Sequence, residues 1–227
     1  MSHAPICDIK PERSALASTL LTFFLELSLR QRHIFSEGYC PVCRGRGQSD
    51  RALICPACCG EGHLKQQPFS AGDALKALRG AGFLDEFLKT SISVSDANFG
   101  NIQLFDSRDC TLRIVTHSGF GEEFLEFFRI VRGTACGCGA AMSRMSRVLV
   151  PDVSSDPIFQ YQRSQQVMLQ ANAHACQSTP LVDSSGRLLG VMSTHFCEPH
   201  DLSERELQDL DLVTEHFVAK IEEHLRM

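Results

Sequence analysis

At Asn98 the apolar residues change from helical spacing to strict alternation, and the shorter period returns in two pairs of segments. FGNIQLFD and TLRIVTHSGF flank the polar SRDC, while ACQSTPLVD and RLLGVMSTHF flank Ser-Ser-Gly. A period of two sends successive side chains to opposite faces of a sheet, and short polar connections close antiparallel hairpins. Two such hairpins need helices to cover their apolar faces. Apolar positions at helical spacing run from Ser14 to about Phe35 (Leu16, Leu20, Phe23, Phe24, Leu27, Phe35), predicting an amphipathic helix. One or two helices follow over Asp73 to about Thr90, interrupted by Gly80 and Gly82. EEFLEFFRIV reads as helix, RVLVPDV as a short strand, and Arg163 to Asn172 as a polar helix. The last segment opens with a Ser203-x-x-Glu206 capping box and carries Leu207, Leu210, Phe217, Ile221 and Leu225 on one stripe. The sum is an α+β fold, an antiparallel sheet with helices packed on it.

Composition narrows the function classes. A net charge of −5 over 227 residues gives no general attraction to nucleic acid or to an anionic membrane. The most apolar early run, Leu16 to Arg30, contains Ser, Thr and Glu and is too short to span a bilayer. It also lacks the basic start and small-residue cleavage site of a secretory signal. Eleven cysteines in such a chain point to a reducing, cytoplasmic setting in which clustered thiols serve metal or redox chemistry.

The densest cluster is CPVCRGRGQSDRALICPACCGEG, residues 40 to 62. Cys40, Cys43, Cys55 and Cys58 form two C-x-x-C pairs, and two facing knuckles of this kind complete a tetrahedral thiolate site for zinc. Gly45, Gly47, Gly60 and Gly62 suit the positive φ angles of knuckle turns. A segment this short cannot bury enough apolar surface to fold alone, so a bound zinc would supply the missing stability. Cys59 is left as a spare thiol or an alternative ligand. Arg44, Arg46, Arg51 and Lys65 surround the knuckles, but Asp50 and Glu61 dilute their charge. No aromatic residue for base stacking lies between Pro41 and Lys65, so a protein-facing module is expected rather than a nucleic-acid contact. CPVCRGRG and CPACCGEG each resemble the C-x-x-C-x-G-x-G repeat of the cysteine-rich zinc-binding region of DnaJ-type chaperones. Two repeats are present where that family has four, so the resemblance implies zinc and not chaperone activity.

From about Leu84 to Leu225 the chain resembles a GAF domain, the small-ligand sensor module of signalling proteins, especially those of bacterial sensor kinases. The residues that carry it are LDEFLKTSISVSDANFGNIQLFD, the GTACG turn at Gly133 to Gly137, RVLVPDVSSDPIF, QSTPLVDSSGRLLGVMSTHF and SERELQDLDL. The resemblance implies a ligand pocket on one face of the sheet, closed by the loops and helices from Phe120 to Ala173. It also implies terminal helices on the other face that often dimerise, although a helix covering its own sheet explains the same stripe. Candidate ligand-binding residues are Asn101, Gln103, His117, Cys136, Cys138, Asp152, Cys176, Ser193 and His195, with Asp156 and His174 beside them.

The expected organisation is a tail and helix over 1–35, a zinc module over 36–66 and a GAF domain over 70–227. With no kinase, cyclase or DNA-binding segment after the last helix, the expected function is a non-enzymatic sensor. It would bind a small molecule and report through a protein partner or a homodimer. TACG at Thr134 to Gly137 is also similar to part of the motif of GAF proteins that reduce free methionine sulfoxide, which makes a thiol-based reductase the enzymatic alternative. The chain has no tryptophan and departs from that family's cysteine pattern. A structural adaptor with a filled pocket is the third reading. The signatures of bilin attachment and of cyclic-nucleotide binding are absent.

Overall fold

A computed structural model of the chain describes residues 82–226, together with the short strands β1 (Gly38–Tyr39) and β2 (His63–Leu64). The helix expected over Ser14 to Phe35 and the four candidate zinc ligands lie outside these residues. β1 and β2 pair antiparallel, Gly38 opposite Leu64 and Tyr39 opposite His63, so the two ends of the cysteine segment are side by side.

The larger unit runs α1 (Phe83–Val94), β3 (Phe99–Asp106), β4 (Thr111–Ser118), α2 (Glu122–Phe128), β5 (Ile130–Val131), α3 (Gly137–Arg144) and β6 (Val148–Val150). It continues with α4 (Arg163–Gln170), β7 (Ala175–Val182), β8 (Leu188–Phe196) and α5 (Glu204–Arg226). The six strands form one antiparallel sheet in the order β5-β4-β3-β8-β7-β6, with β3 and β8 at its centre. Both expected hairpins form, and each turn is closed by a carboxylate. Asp106 accepts from the Arg108 amide at 3.1 Å and its guanidinium at 2.7 Å. Asp183 accepts from the amides of Ser185 and Arg187 at 3.0 and 2.8 Å, beside Gly186 at φ 82°.

Alternation along the strands builds two cores. Ile102, Leu104, Met192 and Phe196 face α1 and α5, meeting Phe87, Leu88, Leu210, Phe217 and Ile221. The stripe on α5 therefore covers its own sheet. The Ser203–Glu206 box forms as expected, with the Glu206 amide donating to Ser203 Oγ at 3.3 Å and the Ser203 amide to Glu206 Oε2 at 2.8 Å. On the opposite face Phe105, Leu112, Val150, Cys176 and Val191 pack under α2, α3 and α4. No helix among the described residues is long and apolar enough to cross a membrane.

One element differs from the sequence-based expectation, and another, α3, has no counterpart in it. EEFLEFFRIV is not one helix: α2 stops at Phe128, and Ile130 and Val131 pair with Arg113 and Leu112 as an edge strand. The GTACG turn leads directly into a helix, α3, despite glycines at 137 and 139 that weaken helical propensity. Packing supplies what propensity does not, because every residue from Gly137 to Met142 is buried.

Candidate functional site

The second core contains a cavity against the sheet. Its floor comes from the side of β3, β8 and β7 that alternation turns away from α1 and α5. Asn101 lies opposite Ser193, Ser193 opposite Ser178, and Cys176 opposite His195. Ser178 and Ser193 share a hydrogen bond of 2.8 Å between their hydroxyls. Phe124 and Phe128 of α2, Phe159 and Met168 form the apolar cover, and the start of α3 brings Cys136, Gly137 and Cys138. The cavity's free space is room for about one water molecule.

The start of α3 can sit this close because of two glycines. A Cβ at Gly137 would lie 3.1 Å from Ser178 Oγ and 3.3 Å from Cys176 Sγ. At Gly139 it would lie 1.8 Å from the Gly133 carbonyl oxygen. The resulting turn places Cys136 Sγ 3.5 Å from Cys138 Sγ, both buried. The hydrogen bond shared with Cys138 holds the Cys136 thiol below its ordinary value against the opposing effect of burial. The same bond, with burial, pushes Cys138 well up, and burial beside Cys136 raises Cys176 as well. The three thiols thus differ in character although they line one space. Cys197, at the end of β8, is disulfide-bonded and does not line the cavity.

His195 is the most constrained polar group. Its Nε2–H donates to Asn101 Oδ1 at 3.2 Å, and the rings of Phe120 and Phe124 meet it edge-on with centroids at 5.0 and 5.8 Å. Nδ1 is buried without a partner. Desolvation pushes its pKa from 6.5 down to about 3, so the imidazole is neutral and Nδ1 presents a lone pair.

That burial has a pH signature. The unfolded chain takes up the proton near pH 6.5 and the folded chain only near pH 3, so stability is full above 6.5 and falls with acidification between those values. The slope from this residue is at most about 1.4 kcal/mol per pH unit. Denaturant unfolding of the wild type and of His195→Gln between pH 7 and pH 4 should show the wild type losing more stability. Parallel profiles would mean that His195 is protonated in the fold.

Of the residues singled out from the sequence, the cavity brings together Asn101, Cys136, Cys138, Cys176, Ser193 and His195. Gln103, His117 and Asp152 do not line it. Gln103 is fully buried and points the same way, but its amide donates to the Phe128 carbonyl at 3.2 Å, fixing the end of α2. His117 lies opposite Asn101 yet is exposed. Asp152 caps its own loop. It accepts from the Ser154 amide at 2.8 Å and the Ser154 hydroxyl at 2.6 Å, which hold its carboxyl below the usual value. Ser178 was missed, although it sits two residues after Cys176 on the same strand face. The aromatic cover was missed too, since a Phe on a helix reads only as core. Among the described residues, no group of three or more His, Cys, Asp or Glu side chains is placed to hold a metal ion.

A profile of the GAF domain family (GAF_2) matches residues 81–222, more than half of the chain. The chain belongs to the GAF domain family. Solved structures agree on the GAF fold. A domain assigned to a two-component sensor histidine kinase of Sinorhizobium meliloti 1021 superposes with a TM-score of 0.53 at 18% identity, covering 63% of this chain and 92% of that one. A GAF domain/HD domain protein from Geobacter sulfurreducens gives 0.52 at 14% identity, covering 67% and 99%. The GAF domain region of an assigned membrane protein of Geobacter sulfurreducens PCA gives 0.50 at 14%, covering 68% and 93%. No curated protein matches the chain. In this GAF domain the face away from the terminal helices carries the cavity, as the sequence resemblance implies, and Cys176 reaches it alongside the GTACG turn.

Proposed function

We propose that this GAF domain is a sensor whose cavity takes a small uncharged molecule able to donate a hydrogen bond. The observation that carries the reading is that His195, whose buried Nδ1 has no partner, lines the cavity together with Asn101, Ser178, Ser193 and buried thiols. No Asp, Glu, Lys or Arg lines that enclosure, so a charged ligand would be desolvated without compensation. The free space holds about one water, so a larger molecule needs the Phe124, Phe128 and Phe159 cover to move outward. Binding then favours an open arrangement by its differential affinity, and that shift is what a partner protein or a second copy would read. Midpoint shifts with a panel of uncharged amides, ureas and alcohols test this against matched carboxylates. At a hundredfold excess over Kd a true ligand adds about 2.7 kcal/mol. Stabilisation by carboxylates alone, or an equal response from Ser193→Leu, would refute the reading.

The segment bracketed by β1 and β2 is proposed to hold one structural zinc through Cys40, Cys43, Cys55 and Cys58. The support is the two C-x-x-C spacings together with the ladder that closes the segment at both ends. Cys43→Ser or Cys55→Ser should abolish stoichiometric metal while the GAF domain still unfolds cooperatively. A full metal equivalent in either variant would rule out the four-thiolate assignment.

A further inference from the structure

We propose that Cys136 and Cys138 form a peroxide-oxidisable dithiol site, in which Cys136 attacks a small hydroperoxide and Cys138 closes a disulfide across Gly137. Three observations support it independently of any bound ligand. The sulfurs are 3.5 Å apart in a C-x-C turn, so about 1.5 Å of approach brings them to disulfide length. The pair lines a small cavity that His195 also lines, its buried Nδ1 being without a partner, and a hydroperoxide, larger than water, enters with the outward movement of the aromatic cover. The two thiols are also unequal. They share a hydrogen bond that holds Cys136 below its ordinary value and, with burial, Cys138 well above it, so Cys136 is the better nucleophile and Cys138 the resolving thiol.

The chemistry balances without further groups. Cys136 sulfur attacks one peroxide oxygen: the S–O bond forms, the O–O bond breaks, and the thiol proton ends on the departing oxygen as water or an alcohol. Sulfur is oxidised to the sulfenic acid and the peroxide is reduced. Cys138 sulfur then attacks the sulfenic sulfur. The S–S bond forms, the S–O bond breaks, and hydroxide leaves with the Cys138 proton as water. Cys176 lines the same cavity from β7, outside the C-x-C turn that joins the other two sulfurs, and is a bystander.

The full-length protein can be tested directly with hydrogen peroxide. After quenching, alkylation under denaturing conditions and tryptic digestion, cleavage at Arg132 and Arg144 releases residues 133–144, with Cys136 and Cys138 as its only cysteines. Cys176 travels on residues 164–187. In the wild type the 133–144 peptide should resist alkylation and be lighter by two hydrogens. Cys138→Ser should stop at a sulfenic acid on Cys136 that dimedone traps, Cys136→Ser should give neither product, and Cys176→Ser should behave as the wild type. Full alkylation of 133–144 in the peroxide-treated wild type would overturn the proposal. A cross-link between 133–144 and 164–187 would overturn it too, by making Cys176 the resolving thiol. Both readouts come from the wild type, so they stand even where a variant fails to fold.

Discussion

Gly139→Ala is expected to cost the GAF domain more than about 3 kcal/mol, beyond what an inserted core methyl usually costs. The new Cβ would lie 1.8 Å from the Gly133 carbonyl oxygen, and the obstacle is backbone, so no rotamer change relieves it. The GTACG turn would have to open, taking Cys136 and Cys138 away from Ser178 and the sheet. Gly137→Ala is the milder comparison: its Cβ would press at 3.1 and 3.3 Å on Ser178 Oγ and Cys176 Sγ, which can shift. Gly121→Ala is the neutral control, with nothing within 4 Å of its Cβ. Urea unfolding followed by circular dichroism should rank the three variants in that order. A Gly139→Ala protein within about 1 kcal/mol of the wild type would show that the turn is not packed as described, since backbone clashes belong among the severe substitutions.

Phe87→Ala should be as damaging on the opposite face, lowering stability by about 3–5 kcal/mol. Phe87 has no exposed surface and stacks on Phe217 of α5, with centroids 4.6 Å apart and planes 7° from parallel. The pair joins the two terminal helices to each other and to the sheet, so truncation leaves a cavity that three elements share. The cavity face is built from other residues, which separates the two effects. Phe87→Ala should lower the midpoint while sparing peroxide formation of the 133–144 disulfide below that midpoint. Loss of less than about 1 kcal/mol would indicate that α1 is peripheral to the fold.

The parts of this fold that were legible in the sequence are those that local chemistry decides. Alternation located β3, β4, β7 and β8, and the reciprocal Ser203–Glu206 bonds located the start of α5. What local chemistry could not show depends on distant partners. α3 forms around two glycines because it is buried against β7 and β8, and β5 exists only through Leu112 and Arg113. The same division holds at the cavity. Ser193 and His195 were readable as one face of β8, whereas their pairing with Asn101 on β3 and the exposure of His117 depend on tertiary packing. Gln103 shares the inward face, but its amide is already used by α2.

The most direct measurement is the native mass of the purified full-length protein set against its denatured mass, for the wild type and for Ser193→Leu. A ligand-binding cavity predicts a small uncharged molecule retained by the wild type alone, over and above the one zinc that the β1–β2 segment is proposed to hold in both proteins. Identical native excess masses in the two proteins, or a bound carboxylate or nucleotide in the wild type, would contradict it.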